Sequence, residues 1–189
     1  MNSQCKLSNN TRDYVERFQY ILDEMIDRMT SVELTESISE SFIRQMIPHH
    51  RAAIEMSENL LQYTTNIPLQ NIALNIIASQ TKSIENMMAV YPQCRAFCDS
   101  ARDIARYQRD NEHIIRNMFY EMGVARISNS IDANFMREMI PHHQGAIRMS
   151  ENALRYPLCP GLIPLLDAII VSQKKGARQM QRLLWQIEC

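Results

Sequence analysis

Four of the five histidines in this 189-residue chain stand in two adjacent pairs, His49-His50 and His142-His143. Each pair has a methionine three residues before it, Met46 or Met139, and another six residues after it, Met56 or Met149. Imidazole nitrogen and thioether sulfur are both neutral donors. The sulfur is soft and suits Cu(I), and Ag(I) by the same softness, while imidazole accepts Cu, Zn, Ni and Fe alike. Hard cations prefer carboxylates, and the Glu-x-x-His of di-iron bundles occurs nowhere; the corresponding spacing is Met-x-x-His in both places. These residue types point to a soft-metal cluster rather than a carboxylate-bridged, oxygen-activating centre. The candidate ligands are Met46, His49, His50, Met56, Met139, His142, His143 and Met149, and no catalytic residue is predicted.

On a helix, Met46 falls roughly 40° and 6 Å from His50 and roughly 60° and 4.5 Å from His49, close enough to share one ion. Met56 lies within about 20° of His49 in azimuth but roughly 10.5 Å further along, so it belongs to another layer or meets ligands from a neighbouring helix. Adjacent imidazoles diverge by about 100°, which sends one toward the interior and the other toward a helix seam. The same holds for the second pair.

The elements that must position these groups are themselves a repeat. Residues 42–61 and 135–154 are identical at 14 of 20 positions. At the same offset of 93, and without a gap, Tyr14 falls on Tyr107, Met25 on Met118, Gln80 on Gln173 and Met87 on Met180. The chain is a tandem duplication of a three-helix unit, about 10–92 and 103–185, within one domain spanning 1–189. Apolar stripes at helical spacing, with only four glycines, predict helices at 11–29, 38–63, 68–90, 101–122, 131–155 and 161–187. Ser37-x-x-Glu40 has the form of a capping box for the second. Pro48 and Pro141 fall inside the motif helices and are expected to bend them and aim the His pairs inward. Short connections favour antiparallel neighbours, hence an all-α bundle whose halves share one core about a pseudo-twofold axis.

Other residues invite plainer expectations. Met25, Met29, Met87, Met88, Met118, Met122 and Met180 read as core fillers, and His113 as solvated. Gln80 and Gln173, on otherwise apolar faces, need partners: backbone, each other, or a metal-bound imidazole. Of the five cysteines, Cys94 and Cys98 lie between the units, and Cys5 is the counterpart of Cys98. An odd number of thiols without Cys-x-x-Cys spacing reads as loop or terminal cysteines, with room for one disulfide.

A net charge of −1, with Lys and Arg spread among acids, argues against a nucleic-acid partner. No run approaches the roughly 18 to 20 apolar residues that cross a bilayer. The stretch Met1 to Asp13 is too polar for a signal peptide, so a soluble chain without a membrane partner is expected. Compartment and oligomeric state are left open.

The pattern M-I-P-H-H-x-x-A-I-x-M-S, present twice, resembles the bacterial domain-of-unknown-function 305 family over at least residues 38–90 and 131–183. The resemblance implies a ferritin-like bundle of two helix-pair repeats, with the first and fourth helices as additions, and copper handling in some members. Many members are exported, which this N-terminus does not support. The family's third helix often carries Gln-x-x-Glu-Ile; here Gln80 and Gln173 remain, while Ser83 and Gly176 stand at the Glu positions, in keeping with a softer site.

The expected function is sequestration or transfer of Cu(I), or of Ag(I), without catalysis, with binding that weakens below about pH 6.5 as imidazoles protonate. Two other classes compete. One is a structural or interaction bundle whose histidines only hold the core. The other is a metal-dependent redox enzyme, for which the residues identify neither an open coordination position nor a substrate pocket.

Overall fold

A computed structural model describes residues 6–33 and 35–188. It contains six helices: α1 (Asn9–Thr30), α2 (Ile38–Leu61), α3 (Ile67–Arg95), α4 (Ala101–Gly123), α5 (Ile131–Ala153) and α6 (Ile163–Glu188). No strand occurs among the described residues. Five of the six start on a side-chain cap, Ser8, Ser37, Asn66, Ser100 or Ser130, whose oxygen accepts from the backbone N–H three residues on. Each cap satisfies a donor that the first helical turn would otherwise leave orphaned.

The capping box on α2 is only half formed. Ser37 accepts from Glu40 N, but the Glu40 carboxylate takes the Tyr91 hydroxyl at 2.7 Å, and Ser37 N donates to Thr35 Oγ1. Ser37 Oγ also donates to the Cys94 carbonyl at 2.8 Å, tying the start of α2 to the end of α3. That tie explains why α3 runs on to Arg95 through Pro92, beyond the expected end at residue 90. Pro92 withholds its N–H only from the Met88 carbonyl on a solvated surface, while buried Cys94 anchors the last turn. Pro48 and Pro141 likewise lie within continuous helices.

α2 and α5 pack against each other at the centre. α3 covers α2, α6 covers α5, and α3 meets α6, which closes a four-helix core. α1 and α4 flank it, on α2 and α5 respectively. The repeat recurs in the contacts: Asn59 Nδ2 donates to the Tyr14 carbonyl at 3.1 Å, and Asn152 Nδ2 to the Tyr107 carbonyl at 3.4 Å. Among the bonds that link the halves are Tyr14 OH to Glu138 at 3.3 Å, Asn111 Nδ2 to Gln45 Oε1 at 2.7 Å and Cys159 N to Ser39 Oγ at 2.9 Å.

The apolar interior is one cluster drawn from both halves, and it takes in Met25, Met29, Met87, Met118, Met122 and Met180. Met88 is the exception, 54% exposed. Met118 fills the space beside Gly145, where an added Cβ would lie 2.1 Å from its sulfur.

The cysteines depart from the loose-thiol expectation. Cys94 and Cys159 are buried in the core, while Cys98 is exposed. Cys5 and Cys189 lie outside the described residues. Among the described residues no helix is long and apolar enough to cross a membrane.

Candidate metal centre

Contact between α2 and α5 stacks their inner imidazoles. The His49 and His142 rings lie 3.7 Å apart between centroids with their planes 28° from parallel. Each ring places its Nε2 3.2 Å from the other residue's backbone carbonyl oxygen, a reciprocal pair of bonds between equivalent positions of the two halves. A carbonyl can only accept, so each Nε2 carries the proton and each Nδ1 keeps the lone pair. Both of those Nδ1 atoms are buried and without a hydrogen-bond partner.

The outer rings turn away, as the helical angle between neighbours requires. Centroid separations are 5.8 Å for His49–His50 and 6.0 Å for His142–His143. His50 faces α3, where its Nε2 meets Ser83 Oγ at 3.1 Å. His143 faces α6 at Gly176, whose missing side chain leaves room for the ring: a Cβ there would sit 2.8 Å from His143 Nε2. Neither Ser83 nor Gly176 announces this task in the sequence; the available signal is that each lies one helical turn after the buried glutamine of its helix.

All eight sequence-predicted residues, Met46, His49, His50, Met56, Met139, His142, His143 and Met149, are at most 2% exposed. The fold brings His49 and His142 together and sends His50 and His143 to separate seams. Among the described residues no three His, Cys, Asp or Glu side chains converge. A site with three or more side-chain donors here would need donors other than these four residue types.

Burial decides the charge state of all four rings. His49 and His142 are held well below the usual imidazole range, first by burial and then by the neighbouring histidines, with the opposing carbonyl offsetting part of the effect. Burial, followed by His142 and His143, brings His50 down to about 3. Burial brings His143 to about 4 against the pull of the Met139 carbonyl. Neutral imidazoles with available lone pairs are what a metal needs.

Glu138, one residue before Met139, is the one carboxyl buried close to the motif in α5. Burial raises it to about 8, with the Tyr14 hydroxyl and Arg137 pulling the other way, so it stands protonated at neutral pH and adds no charge. Its counterpart at offset 93 is Gln45. The amide partnerships expected of Gln80 and Gln173 do not form at their oxygens. Both Oε1 atoms are buried and unpartnered, and both side chains border a cavity shared with His143.

Fold and site together define an all-α bundle with two buried His-His pairs, each flanked in sequence by buried methionines. The sequence matches the family model described as domain of unknown function (DUF305) over residues 39–184, and the chain belongs to that family. Among solved structures, it resembles CopM in an Ag-bound form obtained by soaking: 30% identity and a TM-score of 0.59, covering 82% of this chain and 98% of that one. A Cu(II)-bound form of CopM is 28% identical with a TM-score of 0.58, covering 78% and 96%. A DUF305 fragment from Deinococcus radiodurans, at 23% identity and a TM-score of 0.57 over 79% and 96%, shares the fold. None of the curated proteins matches the chain.

Proposed function

We propose that this chain binds Cu(I), and Ag(I) with it, in the interior between α2 and α5, and that it sequesters or transfers the ion without transforming a substrate. The observation that carries this reading is the stacked His49–His142 pair, whose reciprocal bonds leave two buried Nδ1 lone pairs unpaired. Buried polar atoms without partners are uncommon, and a metal ion is one way to satisfy them. His50 and His143 extend the nitrogen set, and Met46, Met56, Met139 and Met149 supply soft sulfur.

Charge favours the monovalent ion. With no ionised carboxylate or thiolate converging on these rings, a divalent cation would stay uncompensated at greater cost than a monovalent one. The thioethers choose in the same direction. The Ag-bound and Cu(II)-bound forms of CopM support the coarser claim that this fold takes up such metals.

Anaerobic Cu(I) titration against a chromophoric chelator tests the reading. The double variant H49A/H142A should lose at least one equivalent of bound ion. Met46→Leu with Met139→Leu, close in volume and expected to cost less than about 1.5 kcal/mol each in stability, should weaken Cu(I) binding while the fold persists. Unchanged stoichiometry and affinity in both would end the proposal.

The reciprocal imidazole–carbonyl bonds also suit a purely structural pair, and that reading makes an opposite demand. His49→Gln with His142→Gln can still donate to the carbonyls; metal uptake unaltered in that variant, together with retained stability, would favour the structural role.

A further inference from the structure

The two halves present matching hollows between α3 and α6, and only one of them reaches a histidine. The first, of about 190 Å³, is bordered by Gly176, Ser79 and Ser172 among others, and at its base by His143, Gln80 and Gln173. The second, of about 240 Å³, has Ser83 where the first has Gly176. Every residue bordering the second hollow has its counterpart at offset 93 in the wall of the first, and the three that the first adds are His143, Gln80 and Gln173. A single position accounts for the difference. In the first half the Ser83 hydroxyl bonds His50 Nε2 at 3.1 Å and closes the wall over it. In the second half Gly176 has no side chain to do so, and His143 Nε2 stands at the base of the hollow.

Resting on the metal reading above, we propose that the α3–α6 hollow at Gly176 is the entry port for a soft monovalent cation and that His143 is its first protein ligand. His50, sealed by Ser83, is reached only from within. An ion entering from solvent must shed water, and Gln80 and Gln173 present two buried, unpartnered carbonyl oxygens beside the route. Those oxygens can replace departing water without adding charge. His143 then hands the ion inward, toward His142 at 6.0 Å between ring centroids. The duplicated protein thus loads from one side, although its donor groups are paired.

The test combines a metal-free and a metal-dependent measurement on the full chain. Diethyl pyrocarbonate acylates accessible neutral imidazoles, and peptide mapping over time gives the rate at each histidine. Exposed His113 should react first, and His143 should follow at least 10-fold faster than His49, His50 and His142. Ser83→Gly should raise the rate at His50 to about that of His143. Gly176→Ser, which forces the His143 ring to shift and fills the mouth, should lower the rate at His143.

The second measurement is the rate at which apoprotein strips Cu(I) from its bicinchoninate complex under anaerobic conditions. It should fall at least 10-fold in G176S and rise about twofold in S83G, where a second port opens. S83G introduces no steric demand and keeps the test decisive if G176S folds poorly. Equal acylation of His143 and His50 in the wild type, or no gain at His50 in S83G, overturns the port even if Cu(I) uptake is normal. The expected acylation pattern in a protein that takes up no Cu(I) overturns the metal reading and the entry role with it.

Discussion

Acid should act on these histidines through the fold before it acts on any ligand. An imidazole whose pKa is lowered in the folded state binds its proton more readily once unfolded, so stability is complete above the unfolded value of 6.5 and falls as pH drops below it. The loss continues down to about 4 for His143 and about 3 for His50. Each such ring removes up to about 1.4 kcal/mol per pH unit. Glu138 opposes this: raised from 4.5 to about 8, it contributes stability below 4.5 that is lost as pH rises through 8. Asp99, also raised by burial, acts in the same sense as Glu138, but between pH 4.5 and 6.5 four imidazoles act against these two carboxyls, so the urea midpoint should fall as pH drops through that range. Replacing His49 and His142 together by Gln should flatten the slope; a slope unchanged from wild type would show that those rings do not set it. Cu(I) affinity of the protein that remains folded should vary little from pH 7 to 5, a narrower acid sensitivity than the ordinary histidine value implies. Gly145→Ala provides a second check at this scale. Helix propensity alone would favour the alanine by about 1 kcal/mol, but its Cβ would lie 2.1 Å from the Met118 sulfur. The expected outcome is a net destabilisation of about 1 kcal/mol, read from the thermal midpoint, because overpacking a close-packed core commonly costs 1–3 kcal/mol. Sequence spacing made the divergence of adjacent imidazoles legible. The ring stack was not, since it depends on how near α2 approaches α5, and no residue spacing within one helix encodes that distance.

Among the elements, the caps carry more than local helix starts. Ser37 accepts from Glu40 N at 3.2 Å and donates to the Cys94 carbonyl at 2.8 Å, so one hydroxyl begins α2 and secures the end of α3. Ser37→Ala should cost about 2 kcal/mol, the upper end for an N-cap, because a buried carbonyl partner is lost as well. Hydrogen exchange should show the loss at both places, with protection falling in the first turn of α2 and in the last turn of α3. Loss confined to α2 would mean that the Cys94 bond contributes nothing. All six helices were legible from apolar period and turn residues, and their ends were less so. α3 outruns its predicted end because Pro92 sits where its missing N–H matters little, and the buried Cys94 holding that turn is a tertiary fact. The Glu40 half of the capping box failed for a similar reason: Tyr91, distant in sequence, offers its hydroxyl at 2.7 Å.

For the molecule as a whole, the duplication raises the question of whether either repeat is complete alone. The offset of 93 was legible without a gap, but the polar contacts Tyr14–Glu138 and Asn111–Gln45 that help join the repeats were not, because they arise where the repeats differ. Glu138 receives the Tyr14 hydroxyl, whereas its counterpart Gln45 receives Asn111, which has replaced the equivalent of Phe18. The core and the stacked rings likewise belong to both halves: α2 lies against α5, α3 against α6, and the buried residues form one cluster. A fragment ending near residue 98 would expose the apolar faces of α2 and α3 to water, at about 25 cal/mol for each Å² uncovered. Such a fragment should not persist as a folded monomer. Because its missing partner closely resembles itself, it should recover the cover by pairing with a second copy, stacking one His49 on another about a true twofold. Light scattering should then give twice the fragment's mass, with helical circular dichroism that declines on dilution. The full chain should unfold in one transition whose midpoint is independent of concentration. A fragment that stays monomeric and cooperatively folded would instead make each repeat a domain in its own right, and the shared interior would be a docking surface between two finished units.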